Sequence, residues 1–241
     1  MAAVAREVAV WWVAVDGIAA ADWSRLETLL DDDERDRAGR FHFDRDRKSY
    51  IAAHAVGRRL LSSRAGGDPS AWRFAIGAHG KPEVVPPPSA PRLRLNLSHT
   101  RGLAAAVLTE EFDVGVDVEW LGRNASGPDL ARRFFAPTEC AQLAAAPAAL
   151  ADETFLTFWT LKEAYIKAIG KGLAQPLNSF AFTLSPLAIA FQPESDDDPA
   201  NWHFQRFRPT PDHLLALAAR RPPTIELNVT ASAVDADTLC R

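Results

Sequence analysis

Two carboxylates lie two residues apart in the segment DVGVDVEW, which runs from Asp113 to Trp120. Its alternation predicts a β-strand with Asp117 and Glu119 on one face, opposite the apolar Val114, Val116 and Val118. Gly115 lies on the carboxylate face and is expected to leave open space there. Carboxylate oxygens suit Mg²⁺, which fills its remaining positions with water and substrate phosphate. The pattern therefore indicates a divalent-cation site, and the alternative is a solvent-exposed strand face.

Groups that could bind phosphate lie in three other segments. The turn GKP presents Lys81 between two residues that restrict the backbone. In LRLNLSHT, Ser98 and His99 end a predicted strand, and both can donate hydrogen bonds to phosphate oxygens. A helix predicted from Asp44 to about Ser63 carries a basic stripe within about 40°, formed by Arg47, His54 and Arg58. The alternatives are an ordinary turn, a strand end and a solvated helix face.

The segment FWTLKEAYIKAIGKG, from Phe158 to Gly172, predicts a helix with a lysine on its apolar side. Lys162 falls inside the apolar arc, whereas Glu163 and Lys167 lie one turn apart at its border, in the order that favours pairing. A buried ammonium is costly unless an anion neutralises it or its stem lets it reach water. We therefore expect Lys162 either to meet a bound phosphate or to extend to solvent.

Together these groups indicate metal-assisted attack on a small molecule that contains a pyrophosphate. The sequence has neither a GxSxG elbow nor a GxxxxGK[ST] loop, and Ser98 and His99 are adjacent rather than paired across a fold. Cys140 and Cys240 show no metal-type spacing. A covalent catalytic site therefore has no candidate residues.

The elements that must position these groups follow a similar order in the two halves of the chain. GLAAAVL in the first half resembles HLLALAA in the second, and RFHF with its following helix has a faint echo in RRFF. We predict an α+β fold with two similar lobes in a pseudo-twofold arrangement, 1–110 and 111–241, and an active site in the cleft between them. A proline-rich loop is expected from Pro86 to Pro91.

The overall composition is that of an ordinary soluble globular protein, with 241 residues, 47% hydrophobic and 24% charged. The net charge of -4 argues against a general polyanion binder. The apolar run from Val8 to Val15 has the length of a strand, and no signal-peptide layout follows it. We expect a cytoplasmic protein with reduced thiols.

Four motifs occur in an order that resembles the phosphopantetheinyl transferases: GKP at 80–82, NLSH at 96–99, GVDVE at 115–119 and FWTLKEAYIK at 158–167. Each motif is weak alone, but the ordered set is highly specific. The chain is most similar to the long, two-lobed type that activates surfactin synthetase, from about Arg35 to about Ala219. The resemblance implies a monomer that transfers phosphopantetheine from coenzyme A to a serine of an acyl or peptidyl carrier protein, on polyketide, nonribosomal peptide or fatty acid assembly lines. The second product would be adenosine 3′,5′-bisphosphate.

The resemblance also implies roles for individual residues. Three carboxylates would hold Mg²⁺, with Mn²⁺ as an alternative: Asp117, Glu119 and Glu163. Four groups would contact coenzyme A phosphates: Lys81, Ser98, His99 and Lys162. Two arginines would contact the 3′-phosphate: Arg47 and Arg58. Lys167 would stabilise charge or orient the base.

A serine hydroxyl is a poor nucleophile at neutral pH, so a carboxylate must take its proton. We favour Glu163, and Glu119 acting through a water is the rival. The family has basic residues before RF, where this chain reads DDDERDRAGRF with Arg37 and Arg40 as candidates; the acidic run departs from that pattern. Two other functions remain: a non-catalytic module that binds coenzyme A or a carrier protein, and a metal-dependent pyrophosphohydrolase.

Overall fold

The two halves of the chain contain the same order of elements: one strand, three helices and four strands. The computed structural model describes residues 5–77, 80–85, 92–123 and 127–241, and the proline-rich loop predicted at 86–91 lies outside them. The first half contains β1 (Arg6–Ala14), α1 (Trp23–Thr28), α2 (Asp32–Gly39), α3 (Asp44–Ala65), β2 (Arg73–Ile76), β3 (Pro82–Val85), β4 (Leu93–Thr100) and β5 (Leu103–Glu110). The second half contains β6 (Val114–Trp120), α4 (Gly127–Phe134), α5 (Pro137–Ala145), α6 (Ala151–Ile169), β7 (Phe180–Leu184), β8 (Leu187–Phe191), β9 (Trp202–Thr210) and β10 (His213–Arg220). Two further elements follow, β11 (Leu227–Ala233) and α7 (Ala236–Cys240).

The sheets repeat as well. β1, β5 and β4 form an antiparallel sheet in that order, and β6, β10 and β9 form the corresponding sheet in the second half. β2 with β3, and β7 with β8, form a two-stranded hairpin in each half. The same element order and the same sheet order confirm the predicted α+β fold with two similar lobes.

Each of the two larger sheets has a helix on one face and the other sheet on the opposite face. Successive strand side chains point to opposite faces, and in β1 Ala9 and Val13 join the apolar cluster under α3, whereas Val8 and Val10 do not. The latter pack in a separate cluster against residues of the second sheet: Val114, Val116, Val118, Leu215 and Leu217. Burial of each such side chain contributes about 1.5–3 kcal/mol, so the two lobes share an apolar core.

The edge strands of the two sheets, β4 and β6, lie beside each other. Side chains of β4, rather than its backbone, accept hydrogen bonds from the backbone of β6. The Val116 N–H donates to Asn96 Oδ1 at 2.8 Å, and the Val118 N–H donates to Ser98 Oγ at 3.2 Å. Buried backbone groups need such partners. The seam therefore fixes β4 of the first lobe in register with the strand that carries the carboxylate pair.

The end of the chain returns to the first lobe, which corrects the predicted assignment of 111–241 to the second. β11 pairs in parallel with β1, and Leu239 and Cys240 of α7 are buried in the apolar cluster under α3. The alternation of apolar and polar residues in LNVTASA is compatible with a strand but does not indicate which strand it pairs with. Residues 227–240 therefore belong with the first lobe.

No helix in the described part of the chain is both long and apolar enough to cross a membrane.

Candidate functional site

Helix α6 lies directly against β6 because Gly115 has no side chain. A Cβ at this position would overlap the carbonyl oxygen of Ala164 and lie 2.5 Å from the backbone nitrogen of Ala168. The space that we expected to be open beside the carboxylates is therefore filled by the helix backbone. This close approach places Glu163 and Lys167 of α6 next to the carboxylates of β6.

Lys167 is bonded to the buried carboxylate of Asp117. Its Nζ lies 2.6 Å from Asp117 Oδ1, 2.9 Å from Ser98 Oγ and 3.3 Å from the Val116 carbonyl oxygen. The Ser98 hydroxyl donates to the same Asp117 oxygen at 3.0 Å. Burial raises the pKa of Asp117, although the charge of Lys167 opposes the shift. The structure thus places Ser98 and Lys167 at the carboxylate cluster. Asp117 Oδ2 is buried, and no described residue bonds to it.

Glu119 and Glu163 complete this cluster. Arg123 Nη1 donates to Glu119 Oε1 at 2.7 Å, whereas Glu163 has no hydrogen-bond partner in the described part of the chain. Burial, and then the negative charge of Asp117, raise the pKa of Glu119 and of Glu163 to about 7. Mutual repulsion of this kind is expected where carboxylates face a shared position.

The carboxylate cluster fits a hard cation in its chemistry. Within the described residues, no group of three or more His, Cys, Asp or Glu side chains is placed so that it could hold a metal ion. The ammonium of Lys167 and the guanidinium of Arg123 supply the positive charge instead. However, Asp117 Oδ2 is a buried oxygen without a hydrogen-bond partner among the described residues, and oxygen donors from few carboxylates are what Mg²⁺ prefers.

A cavity of about 960 Å³ lies beside the cluster and has basic side chains at two places. Three lining groups lie near α6: Lys81, His99 and Lys167. Three others lie on or next to α2 and α3: Arg37, Arg40 and His54. Aromatic rings join the two groups, since Tyr50 lies 6.1 Å from the His99 ring and 4.2 Å from the His54 ring between centroids. The cavity therefore has basic side chains at two separate places, and Asp31, Asp33 and Glu34 also line the second of them.

Lys81 and His99, which the sequence predicted to contact phosphates, both line the cavity. Lys81 Nζ lies 3.1 Å from the carbonyl oxygens of Val114 and Ala168, and burial lowers its pKa to about 8. His99 is exposed to the cavity, and desolvation by the surrounding protein, followed by the charge of Lys167, lowers its pKa. His99 is therefore neutral at neutral pH and can donate one N–H.

The predicted contact between Lys162 and a phosphate is wrong in this structure. Lys162 is fully buried, and its Nζ lies 2.6 Å from the Leu177 carbonyl, 2.8 Å from the Phe180 carbonyl and 2.8 Å from Glu139 Oε2. All three ammonium donors are therefore used. The anion that neutralises this lysine is Glu139, which is itself fully buried.

Arg58 and Arg47 also do not occupy the predicted positions. Arg58 is fully buried and donates to Glu34, Asp31 and two backbone carbonyls. Arg47 pairs with Glu27 and does not line the cavity. Within the stripe that the sequence predicted, His54 alone lines the cavity in the described structure, and the arginines that line it there are Arg37 and Arg40.

Comparison with known proteins agrees with the ordered motifs. A family model described as the 4′-phosphopantetheinyl transferase superfamily matches residues 113–218, and one described as 4′-phosphopantetheinyl transferase, N-terminal, matches residues 18–111. The 4′-phosphopantetheinyl transferase HetI from Nostoc sp. is 32% identical over 180 residues, which cover 75% of this chain and 75% of HetI. The 4′-phosphopantetheinyl transferase Sfp from Bacillus subtilis is 26% identical over 201 residues, 82% of this chain and 85% of Sfp.

Two further proteins are similar to this chain. The human L-aminoadipate-semialdehyde dehydrogenase-phosphopantetheinyl transferase is 28% identical over 223 residues, which cover 84% of this chain and 71% of the human protein. Among solved structures, the holo-[acyl-carrier-protein] synthase of Thermotoga maritima matches with a TM-score of 0.38 and 20% identity, over 46% of this chain and 64% of that chain.

The two family models and the curated relatives show that the protein is a transferase enzyme. The chain belongs to the 4′-phosphopantetheinyl transferase family. Because both an N-terminal region and the superfamily region are matched, it is of the long type, as the motifs indicated.

Proposed function

We propose that the enzyme transfers the 4′-phosphopantetheine group of coenzyme A to a serine hydroxyl of an acyl or peptidyl carrier protein and releases adenosine 3′,5′-bisphosphate. The observation that supports this most directly is the cavity with two separate cationic positions. Coenzyme A carries negative charge at two places, its pyrophosphate and its 3′-phosphate. A ligand with a single phosphate would leave one position unused.

The pyrophosphate is proposed to lie near α6, beside the carboxylate cluster. Lys81 and Lys167 supply positive charge there, and neutral His99 donates an N–H to a phosphate oxygen. Such hydrogen bonds to an anion are stronger than those between neutral groups. The 3′-phosphate is then proposed to contact Arg37 and Arg40.

Asp117, Glu119 and Glu163 are proposed to hold Mg²⁺, with Mn²⁺ as an alternative. When bound there, a divalent cation neutralises the charge that develops on the pyrophosphate. Arg123 must then leave Glu119 or share it, because its guanidinium bonds the Oε1 atom.

Glu163 is proposed to accept the proton of the carrier serine. Its carboxylate has no hydrogen-bond partner in the described part of the chain, so its oxygens are available to accept a proton. Glu119 is the alternative base, acting through a water. Lys167, one turn after Glu163 on the helix, is positioned to steady the charge of the transferred group.

The test is to incubate the enzyme with coenzyme A, Mg²⁺ and a panel of apo carrier proteins, and to follow the mass of each carrier. We expect a gain of one phosphopantetheine group on at least one carrier. If the folded protein binds coenzyme A but transfers nothing to any carrier, the function would be that of a non-catalytic binding module. Release of adenosine 3′,5′-bisphosphate without any carrier would favour the pyrophosphohydrolase.

A further inference from the structure

Each lobe buries one ion pair built in the same way. In the second lobe, Glu139 near the start of α5 binds Lys162 of α6. In the first lobe, Glu34 near the start of α2 binds Arg58 of α3, with Arg58 Nη2 2.7 Å from Glu34 Oε2. Each glutamate also accepts the backbone N–H three residues before it, at 3.0 Å. Each cation further donates to two carbonyls of the segment that follows its helix: Pro69 and Trp72, and Leu177 and Phe180.

The two ion pairs differ in what lies beside them. Neither Glu139 nor Lys162 lines the cavity, and both are fully buried. In contrast, Glu34 lines the cavity close to Arg37 and Arg40. Its second oxygen lies 2.7 Å from His54 Nδ1, and Arg58 Nη2 also lies 3.1 Å from Asp31 Oδ2. The first-lobe pair therefore has two further members, and both line the cavity.

The negative charge of Glu34 would repel an anion bound at this position unless a positive charge nearby compensates it. Burial acts to raise the pKa of Glu34, but the hydrogen bond to His54 and the charges of His54 and Arg58 bring it below its usual value. Glu34 is therefore ionised at neutral pH. With all five donors of its guanidinium engaged, Arg58 supplies a fixed opposite charge beside the carboxylate.

Helix α2 connects this ion pair to the cavity. Arg37 lies three residues after Glu34, which places the two side chains as neighbours on one helix face, and Arg40 follows the last residue of the helix. Because Glu34 is bonded to α3 from both of its oxygens, the rotation of α2 about its axis is fixed. The direction in which Arg37 points is fixed with it.

We propose that Arg58 and His54 are positioning residues: through Glu34 they hold α2 so that Arg37 and Arg40 meet the 3′-phosphate, and they thereby set the preference for coenzyme A over dephospho-coenzyme A. This inference rests on the proposed function. Neither residue is proposed to contact the reacting atoms, so their loss changes recognition of the substrate and leaves the chemical step intact.

The test measures kcat and KM with coenzyme A and with dephospho-coenzyme A for Arg58→Lys, which keeps the charge but has fewer donors. We expect KM for coenzyme A to rise about tenfold, as for other residues that orient a binding group, with kcat nearly unchanged and the preference for coenzyme A reduced. His54→Phe keeps a ring but loses the bond to Glu34, so it should raise KM for coenzyme A and reduce the preference in the same way. His54→Asn has an amide that can donate to Glu34, so it should keep the preference of the wild-type enzyme.

The matched control is the reciprocal exchange in the second lobe, Lys162→Arg. Both exchanges disturb a buried ion pair and should lower the melting temperature, but only Arg58→Lys should change the preference. An equal change in Lys162→Arg would overturn the inference, since general loss of stability would then explain both. If Arg58→Lys does not fold, the His54→Phe and His54→Asn pair decides.

Arg37→Ala separates this inference from the proposed function. If Arg37→Ala loses the preference while Arg58→Lys and His54→Phe keep it, the positioning role is wrong and the phosphate position stands. If Arg37→Ala itself keeps the preference, the proposed position of the 3′-phosphate is wrong, and the positioning role fails with it.

Discussion

Lys81 carries a charge that depends on pH in the range where the enzyme would be assayed. Its pKa is about 8 in the free protein because of burial, and a nearby phosphate favours the charged form and so raises the pKa in the complex. Binding of coenzyme A therefore takes up a proton above pH 8, and the affinity should weaken as the pH rises further. Calorimetric titration at several pH values measures this slope.

Lys81→Arg is the control for that measurement, because a guanidinium stays protonated throughout the range. We expect a flatter dependence of the dissociation constant on pH in this variant. Equal slopes in the two proteins would show that another group takes up the proton.

Glu163 is proposed both to hold Mg²⁺ and to accept the proton of the carrier serine. Glu163→Gln keeps the size of the side chain but cannot accept the serine proton, so kcat should fall by about 10²–10⁴-fold while binding of coenzyme A is retained. Single-turnover transfer to an apo carrier, with binding measured separately, checks both expectations. Glu153→Gln on the same helix is the matched control, since Glu153 pairs with Arg208 at the surface. Nearly normal turnover in Glu163→Gln would favour Glu119 as the base.

The sequence predicted which residues gather at the carboxylate cluster better than it predicted the partners of buried cations. Alternation in β6 indicated Asp117 with Glu119, and helical spacing in α6 indicated Glu163 with Lys167. The family resemblance then placed Glu163 with the two carboxylates of β6. The same helical pattern showed that Lys162 was buried, but it could not show which anion would neutralise it. Glu139 lies 23 residues earlier on another helix, and only the packing of α5 on α6 brings the two together.

At the scale of elements, the contact between α6 and β6 depends on Gly115. In Gly115→Ala, the added methyl group overlaps backbone that cannot rotate away, so the helix must move from the strand. We expect the free energy of unfolding to fall by about 3 kcal/mol, and turnover to fall more than binding of coenzyme A because Glu163 and Lys167 move with the helix. Chemical denaturation and steady-state kinetics measure the two effects.

Gly57→Ala is the control for Gly115→Ala. Its added methyl group would meet the end of the Leu97 side chain at 2.6 Å, and a side chain can change rotamer where backbone cannot. The loss of stability should be smaller, and turnover should be preserved. An equal loss of turnover in both variants would show that α6 does not depend on Gly115 for its position.

The terminal elements show what a pattern within one segment cannot predict. The alternation of LNVTASA was compatible with any sheet edge, and its pairing with β1 depends on a strand more than 200 residues away, at the start of the chain.

Leu239 tests this placement, because it is fully buried under α3. Leu239→Ala should lower the free energy of unfolding by about 3 kcal/mol and leave kcat unchanged. A negligible loss would mean that α7 is not packed on the first lobe.

For the whole molecule, one chain supplies both walls of the cavity. His99 comes from the first lobe and Lys167 from the second, while the two sheets are held together by the shared apolar cluster. The repeated element order gives a single chain two related lobes, which is the arrangement that we predicted from the sequence. A second copy is therefore not needed to complete the site, and we propose that the monomer is the active form.

Mixing two inactive variants tests this proposal. His99→Ala removes a group of the first lobe, and Asp117→Ala removes one of the second. If each chain builds its own site, a mixture of the two proteins should be no more active than the separate variants at any concentration. If the site instead forms between two chains, the mixture would contain some intact sites and activity would return, rising with total protein. Sedimentation of the wild-type enzyme at the assay concentration measures its oligomeric state independently. Activity can return in the mixture only if two chains associate, so a monomer at this concentration agrees with a site built by one chain.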